Sequence, residues 1–246
     1  MTATAPASSD PEPSRGRRRG LSRRLRRGAL ALSVLCLAWF LLGAVAPLPS
    51  TLMLWRHLTL QPVERIWTPL EAISPALVRA VIAAEDQRFC RHRGVDWGEL
   101  RDVLDDEGGP SRGASTIAMQ TVKNVYLWHG PSVIRKALEL PLALAADLVW
   151  RKRRVMEVYL NVAEWGEGVF GAEAASRRYF RKSAGDLTPR EAAQLAAALP
   201  NPALRRPDAG SARARANSIR IGRRAAGLGP LADCVLRAGG GAGERG

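Results

Sequence analysis

Residues 28–46 read GALALSVLCLAWFLLGAVA, nineteen positions without a charged side chain. No other feature restricts so tightly what this chain can fold into. As a helix the run rises about 28 Å, close to the hydrocarbon thickness of a bilayer. A helix packed into a globular core keeps a polar stripe, and here Ser33 is the one polar side chain. A cleavable leader has a shorter apolar region closed by small residues, and Ala44-Val45-Ala46 offers such a closure. Cleavage therefore stays open as an alternative, while length and uniformity favour a retained transmembrane helix over 28–46. The block Arg15–Arg27 precedes it directly. Flanking positive charge marks the cytoplasmic side, so the expected topology is a single pass with everything after the run outside the cytoplasm. Residues 1–27, rich in Ala, Ser and Pro up to 14 and then in Arg, are expected to be a disordered basic cytoplasmic segment.

The formal net charge of +14 needs to be located before it is interpreted. Residues 1–27 contribute +6 and residues 205–246 another +6, which leaves +2 for the 28–204 stretch between them. A nucleic-acid binder carries its basic face on the folded unit, so nucleic acid is not an expected partner. Cys36, Cys90 and Cys234 are too few for a disulfide framework, and none stands at zinc-ligand spacing. A single Cys90–Cys234 bridge would suit an oxidising compartment, but nothing in the sequence singles it out.

The remaining chain reads as one mainly helical domain over 47–208, followed by a basic C-terminal tail over 209–246. Ser74-Pro75 is a favourable N-cap and first-turn pair. It opens a helix whose apolar stripe holds Val78, Val81, Ile82 and Phe89. Further helical patterns cover about 115–127, 133–150, 151–163, 171–180 and 188–199, and an amphipathic one about 211–226. Strand signals are few and short. The composition of Asp105–Gly113, DDEGGPSRG, is that of a mobile loop.

Three clusters in this domain carry chemistry. Glu85 continues the Val78–Val81–Ile82 stripe, so a carboxylate interrupts the inward face of a helix. Burial raises a carboxylate pKa, which suits a general base or acid; a surface Glu paired with Arg88 is the bland alternative. Asp86 adjoins it on a different face. Next, Gly113-Ala-Ser-Thr-Ile-Ala-Met-Gln120 opens a helix with small and hydroxyl residues, and Lys123-Asn124 follows. Such a helix start binds phosphate, or is simply an ordinary Ser/Thr cap. Last, Arg135-Lys136-x-x-Glu139 offers two cations and a second carboxylate, or an ordinary intrahelical ion pair.

In order, the chain holds EDxxFxxHxG at 85–94, GxSTIxxQxxKN at 113–124 and RKxxE at 135–139. RRVMEVYLN at 153–161 follows, with Glu164-Trp-Gly166 close behind, and then LTxxEAAxLA at 187–196 running into Leu199-Pro-Asn-Pro202. This series resembles the family 51 glycosyltransferases, the peptidoglycan glycosyltransferases. It is most similar to their stand-alone branch, the monofunctional biosynthetic peptidoglycan transglycosylases, over about 62–208. The resemblance implies a mainly α, lysozyme-like, two-lobed helical domain with its second lobe near the membrane. It implies an inner-membrane enzyme facing the periplasm that polymerises lipid II into β-1,4-linked glycan strands with inversion, releasing undecaprenyl diphosphate. Glu85 matches the catalytic base, and Glu139 the second Glu that assists departure of the diphosphate. Ser115, Gln120, Lys123, Arg135 and Lys136 match the donor's diphosphate site. Asp86, Phe89, Thr116 and Asn124 fall in the same motifs and are expected at the substrate. No cofactor is implied as obligatory, with room for a divalent cation, Mg or Mn, at the diphosphate. The implied partners are lipid II, the growing strand, the inner membrane, and wall-synthesis or division proteins.

Two positions depart from the family pattern. Pro131 stands where many members have Arg, four residues before the Arg-Lys pair, so one phosphate contact is expected to be missing or supplied by a neighbour. Pro141 falls two residues after Glu139, where it is expected to kink the helix or start a new one. Met119 in place of a frequent Gln is milder. Two other functions compete: a lysozyme-like wall hydrolase, which needs a carboxylate but no diphosphate site, and a non-catalytic membrane-anchored scaffold. A penicillin-binding acylation site is not expected, because neither Ser-x-x-Lys nor Lys-Thr-Gly occurs.

Overall fold

The computed structural model describes residues 15–105, 115–130, 132–200, 206–207 and 211–237, without the side chains of 15–22 and Leu104. The expectations for residues 1–14, for the loop 106–114 and for Pro131 lie outside these residues. The chain divides into two compact units, Met1–Val45 and Ala46–Gly246.

Among the described residues, the first unit contains one helix, α1 (Arg15–Leu42). It corrects the sequence reading at both ends. The Arg block expected to be disordered from 15 to 27 is helical, consistent with the high helix propensity of Arg and Leu. At the other end the helix stops at Leu42 rather than Ala46. Gly43, Ala44 and Val45 donate backbone bonds three residues back, to Phe40, Leu41 and Leu42, a tightened last turn before Pro47. Arg23–Leu42 is long and apolar enough to cross a membrane, and its side chains are not buried.

The second unit holds α2 (Thr51–Leu58), β1 (Glu64–Arg65), α3 (Pro75–Glu85), α4 (Trp97–Leu104), α5 (Ile117–Tyr126), α6 (Val133–Val149) and α7 (Lys152–Val162). After them come β2 (Glu164–Gly166), β3 (Val169–Phe170), α8 (Ala172–Phe180), α9 (Pro189–Ala198), α10 (Ala212–Ala226) and α11 (Asp233–Leu236). The mainly α expectation holds. The strands form one small sheet in the order β1-β3-β2, with β1 parallel and β2 antiparallel to β3.

Local chemistry explains the helix starts. Ser74 caps α3 by accepting from Ala76 N, and its hydroxyl donates to Leu187 O at 2.9 Å. Thr188 and Glu191 form a reciprocal capping box on α9. The core is apolar side chains at helical spacing: Leu77, Val81 and Ile82 from α3, Ile117 and Val122 from α5, Met156 and Leu160 from α7, Leu195 from α9. α3 packs on α9 and α10, while α5 packs on α6 and α7. The cleft described below runs between the end of α3 and the start of α5.

Of the two outcomes expected at Pro141, the start of a new helix does not occur: α6 runs through it as a single helix. Just beyond the proline, its backbone at Ala143 lies so close to Gly94 that a Cβ at Gly94 would collide with the Ala143 carbonyl. Gly94 also has φ +71°, a conformation open to glycine. The last glycine of the EDxxFxxHxG motif thus lets α6 lie against that loop. The segment read as a basic tail from 209 is part of the fold: α10 packs on α3 and α9, and α11 on α7. Cys234 in α11 is disulfide-bonded to Cys90, with Cα atoms 5.7 Å apart.

Candidate active site

Glu85 is the last residue of α3, half-buried. It lines a cleft of about 570 Å³ together with Asp96, Glu99, Ser115, Gln120 and Arg224. Gln120, one turn into α5, donates from Nε2 to Glu85 Oε2 at 2.8 Å. The buried Tyr159 hydroxyl on α7 donates to Gln120 Oε1 at 3.2 Å. Desolvation, then the charges of Glu85 and Asp86, raise the Tyr159 pKa well above its usual value, so the phenol keeps its proton. The relay fixes which way the Gln120 amide faces and presents its N–H to Glu85.

Asp86, the C-cap of α3, is buried. Its oxygens accept from His92 Nε2 at 2.8 Å and from Ile117 N at 3.0 Å. It therefore ties the end of α3 to the first turn of α5. Thr116 caps α5 through Met119 N, and its hydroxyl donates to Gly94 O at 2.5 Å. Both residues line the cleft, and their internal hydrogen bonds hold its two walls together. The expectation of a substrate contact at Phe89 is corrected: its side chain is fully buried, with Lys152 Nζ 4.6 Å over its ring. Lys152 also donates to His92 O at 2.8 Å and pairs with Asp147, clamping the loop that follows Glu85.

The cations form a second cluster. Arg135, Lys136 and Glu139 share one face of α6, and Glu139 is 2 % exposed. Arg135 Nε stands 3.2 Å from Glu139 Oε1, and Lys136 Nζ 3.7 Å from Oε2. Lys136 Nζ also donates to Ser115 Oγ, and Ser115 lines the cleft. Lys123, half-buried on α5, feels the charges of Glu139, Arg135, Lys136 and Glu85. Desolvation is the main cause of its lowered pKa, and the two neighbouring cations add to it. Ser115 thus joins the Glu85 cleft to the α6 cluster, and the charge of Lys123 is felt by both. Asn124, next along α5, is half-buried and does not line the cleft; its carbonyl accepts from Thr51 Oγ1 at 3.2 Å.

The donor set does not fit a cation site built by the protein alone. Among the described residues no three His, Cys, Asp or Glu side chains gather, and Glu139 faces Arg135 and Lys136 instead of a second carboxylate. Glu164, another motif carboxylate, is occupied at the hairpin: it pairs with Arg56 at 3.1 Å and accepts from Gly168 N at 3.0 Å.

Three participants escaped the sequence reading. Tyr159 and Lys152 lie in or beside RRVMEVYLN, but which face they use depends on packing. Arg224 sits among the arginines of the supposed tail, with no signal to set it apart.

Residues 53–225 match the family model described as Transglycosylase. Several relatives of this chain bear the name biosynthetic peptidoglycan transglycosylase. One, from Brucella suis biovar 1 (strain 1330), is 54% identical over 210 residues, covering 83% of this chain and 92% of its own length. Another, from Rhizobium meliloti (strain 1021), is 52% identical over 193 residues, 76% of this chain and 81% of its own. A third, from Rhodopseudomonas palustris (strain TIE-1), is 53% identical over 201 residues, 80% of this chain and 85% of its own.

Proposed function

This chain belongs to the transglycosylase family, and from that premise we infer that it is a peptidoglycan glycosyltransferase that polymerises lipid II at the outer face of the bacterial inner membrane. The carrying observation is the joining, through the Ser115–Lys136 hydrogen bond, of a carboxylate-bearing cleft to a cation cluster. A hydrolase has a use for the first and none for the second.

The acceptor's 4-hydroxyl attacks the anomeric carbon of the donor from the face opposite its α-linked diphosphate. A new C–O bond forms, the bond to the diphosphate oxygen breaks, and the product is β-1,4-linked. Glu85 takes the hydroxyl proton during attack, because a neutral sugar hydroxyl is a poor nucleophile. Gln120, held by Tyr159, orients Glu85 for this. Lys123, Arg135 and Lys136 receive the leaving diphosphate, where negative charge develops. Glu139, buried between Arg135 and Lys136, acts through them: it keeps like charges gathered before the diphosphate arrives.

Placement at the membrane is supported by the α1 helix and by the surface of the second unit. Leu54, Trp55 and Leu58 of α2, and Val133, Ile134 and Leu138 of α6, are exposed. Exposed apolar clusters of this kind mark contact surfaces, and a bilayer interface suits them. The Cys90–Cys234 bridge supports an oxidising compartment for this unit.

The test is the product formed from purified lipid II by the full-length chain in detergent. Polymer that lysozyme digests is the expected result. Trimming of preformed glycan without polymer would instead make the protein a wall hydrolase, and no turnover of either would leave it a scaffold.

A further inference from the structure

α10 carries five arginines and no acidic residue. Arg213, Asn217, Arg220 and Arg224 recur at intervals of four, three and four, so they lie along one stripe about 16 Å long. The stripe borders the inward seam of the helix, where Ile221 and Ala225 are buried. Its far end lines a second cavity, of about 510 Å³, with Arg213, Asn217 and Arg220 facing Ala197 of α9. Its near end, Arg224, lines the Glu85 cleft. Arg220 donates to Asn217 Oδ1 at 2.7 Å, which aligns the two side chains along the stripe. None of Lys123, Arg135 or Lys136 lines either cavity, so these cations are separate from the diphosphate set.

Resting on the function proposed above, we propose that this stripe is a track for the carboxylates of the peptide stem carried by the acceptor substrate. Apart from the diphosphate, the negative charge of such a substrate lies on its peptide carboxylates. A row of guanidinium groups leading out of the cleft holding the base complements that charge, and each planar fork can take a carboxylate in two parallel hydrogen bonds. The sugars then occupy the Glu85 cleft while the stem lies along α10. The track selects for stems that keep their carboxylates free.

The experiment compares initial polymerisation rates of the full-length chain on two purified lipid II preparations, one with free stem carboxylates and one with them amidated. The wild type is expected to show a KM about threefold to tenfold lower for the free-acid form, the range that two exposed ion pairs supply. In R213Q/R220Q the free-acid KM rises and the ratio falls toward one. Raising salt to about 0.5 M should collapse the wild-type ratio in the same way, a check that does not depend on the variant folding. Equal KM values for the two preparations in the wild type would overturn the proposal, as would a ratio that survives in the variant. If the variant instead loses binding to phosphatidylglycerol vesicles with its stem preference intact, the stripe contacts lipid and the proposal fails. If the wild type polymerises neither preparation, the proposed function falls, and the track with it.

Discussion

Lys123 shows how one side chain's surroundings become a measurable property. Its ammonium is pulled from water and stands near Arg135 and Lys136, so it gives up its proton below the usual lysine range. The diphosphate needs the charged form. Apparent KM for lipid II should therefore rise on the alkaline side before an ordinary lysine would titrate, and Lys123→Arg should move that rise to higher pH. Identical KM–pH profiles for the two proteins would mean that Lys123 does not bind substrate as its cation. The sign for stability is opposite. A lowered folded-state pKa means that the buried charge opposes folding, and the opposition fades as pH rises from the lowered value to the ordinary one. The charged residues of this site were legible as types and spacings, because RKxxE fixes which residues share a helix face and Glu85 falls at the end of the α3 stripe. Their division of labour was not. Asp86, Thr116 and Phe89 lie in the same motifs as Glu85 and Gln120, yet their side chains turn inward, to His92 and Ile117, to Gly94, and under Lys152. That depends on where α5 and α7 come to lie, which no local pattern encodes.

At the scale of elements, caps and apolar stripes located the helices well. Ser74-Pro75, Thr188 with Glu191, and the 3.6-residue stripes of α3, α5 and α7 each act within about a turn of chain. What depended on contacts between distant segments was not legible. The turn of α6 beyond Pro141 lies against Gly94, and α10, expected as a helix at about 211–226, docks because its Ile221 and Ala225 find α3 and α9. The Cys90–Cys234 bridge spans 144 residues and anchors the loop after Glu85 to α11. Closing so long a loop restricts the unfolded chain strongly, so reduction should cost about 2–5 kcal/mol of stability. Denaturant unfolding of the second unit with and without reductant measures this directly. A Cys90→Ser/Cys234→Ser protein as stable as the oxidised wild type would show that packing alone holds α11.

At the scale of the molecule, two units share one chain: a helix able to span a bilayer and a helical domain holding the candidate site. The uniform apolar run made the first legible, although its lower end was misjudged, since an arginine block can continue a helix as readily as it can stay disordered. Arg15–Arg27 before the apolar run predicts an N-terminus inside. A phosphatase that is active only after export, fused beyond residue 246, should be active in the full-length chain. A silent fusion, with activity from a cytoplasmic reporter at the same position, would reverse the orientation and remove the substrate from reach.

The central claim is that Glu85 is the base that makes the acceptor hydroxyl a nucleophile. Glu85→Gln keeps the shape of the side chain and removes its capacity to take a proton, so kcat for polymer formation from purified lipid II should fall about 10²–10⁴-fold while substrate still binds. Glu164→Gln, altered at a carboxylate that serves Arg56 and the β2–β3 turn, should retain catalysis in the folded protein. Near-full activity in Glu85→Gln together with abolished turnover in a folded Glu164→Gln protein would contradict the assignment and make Glu164 the base.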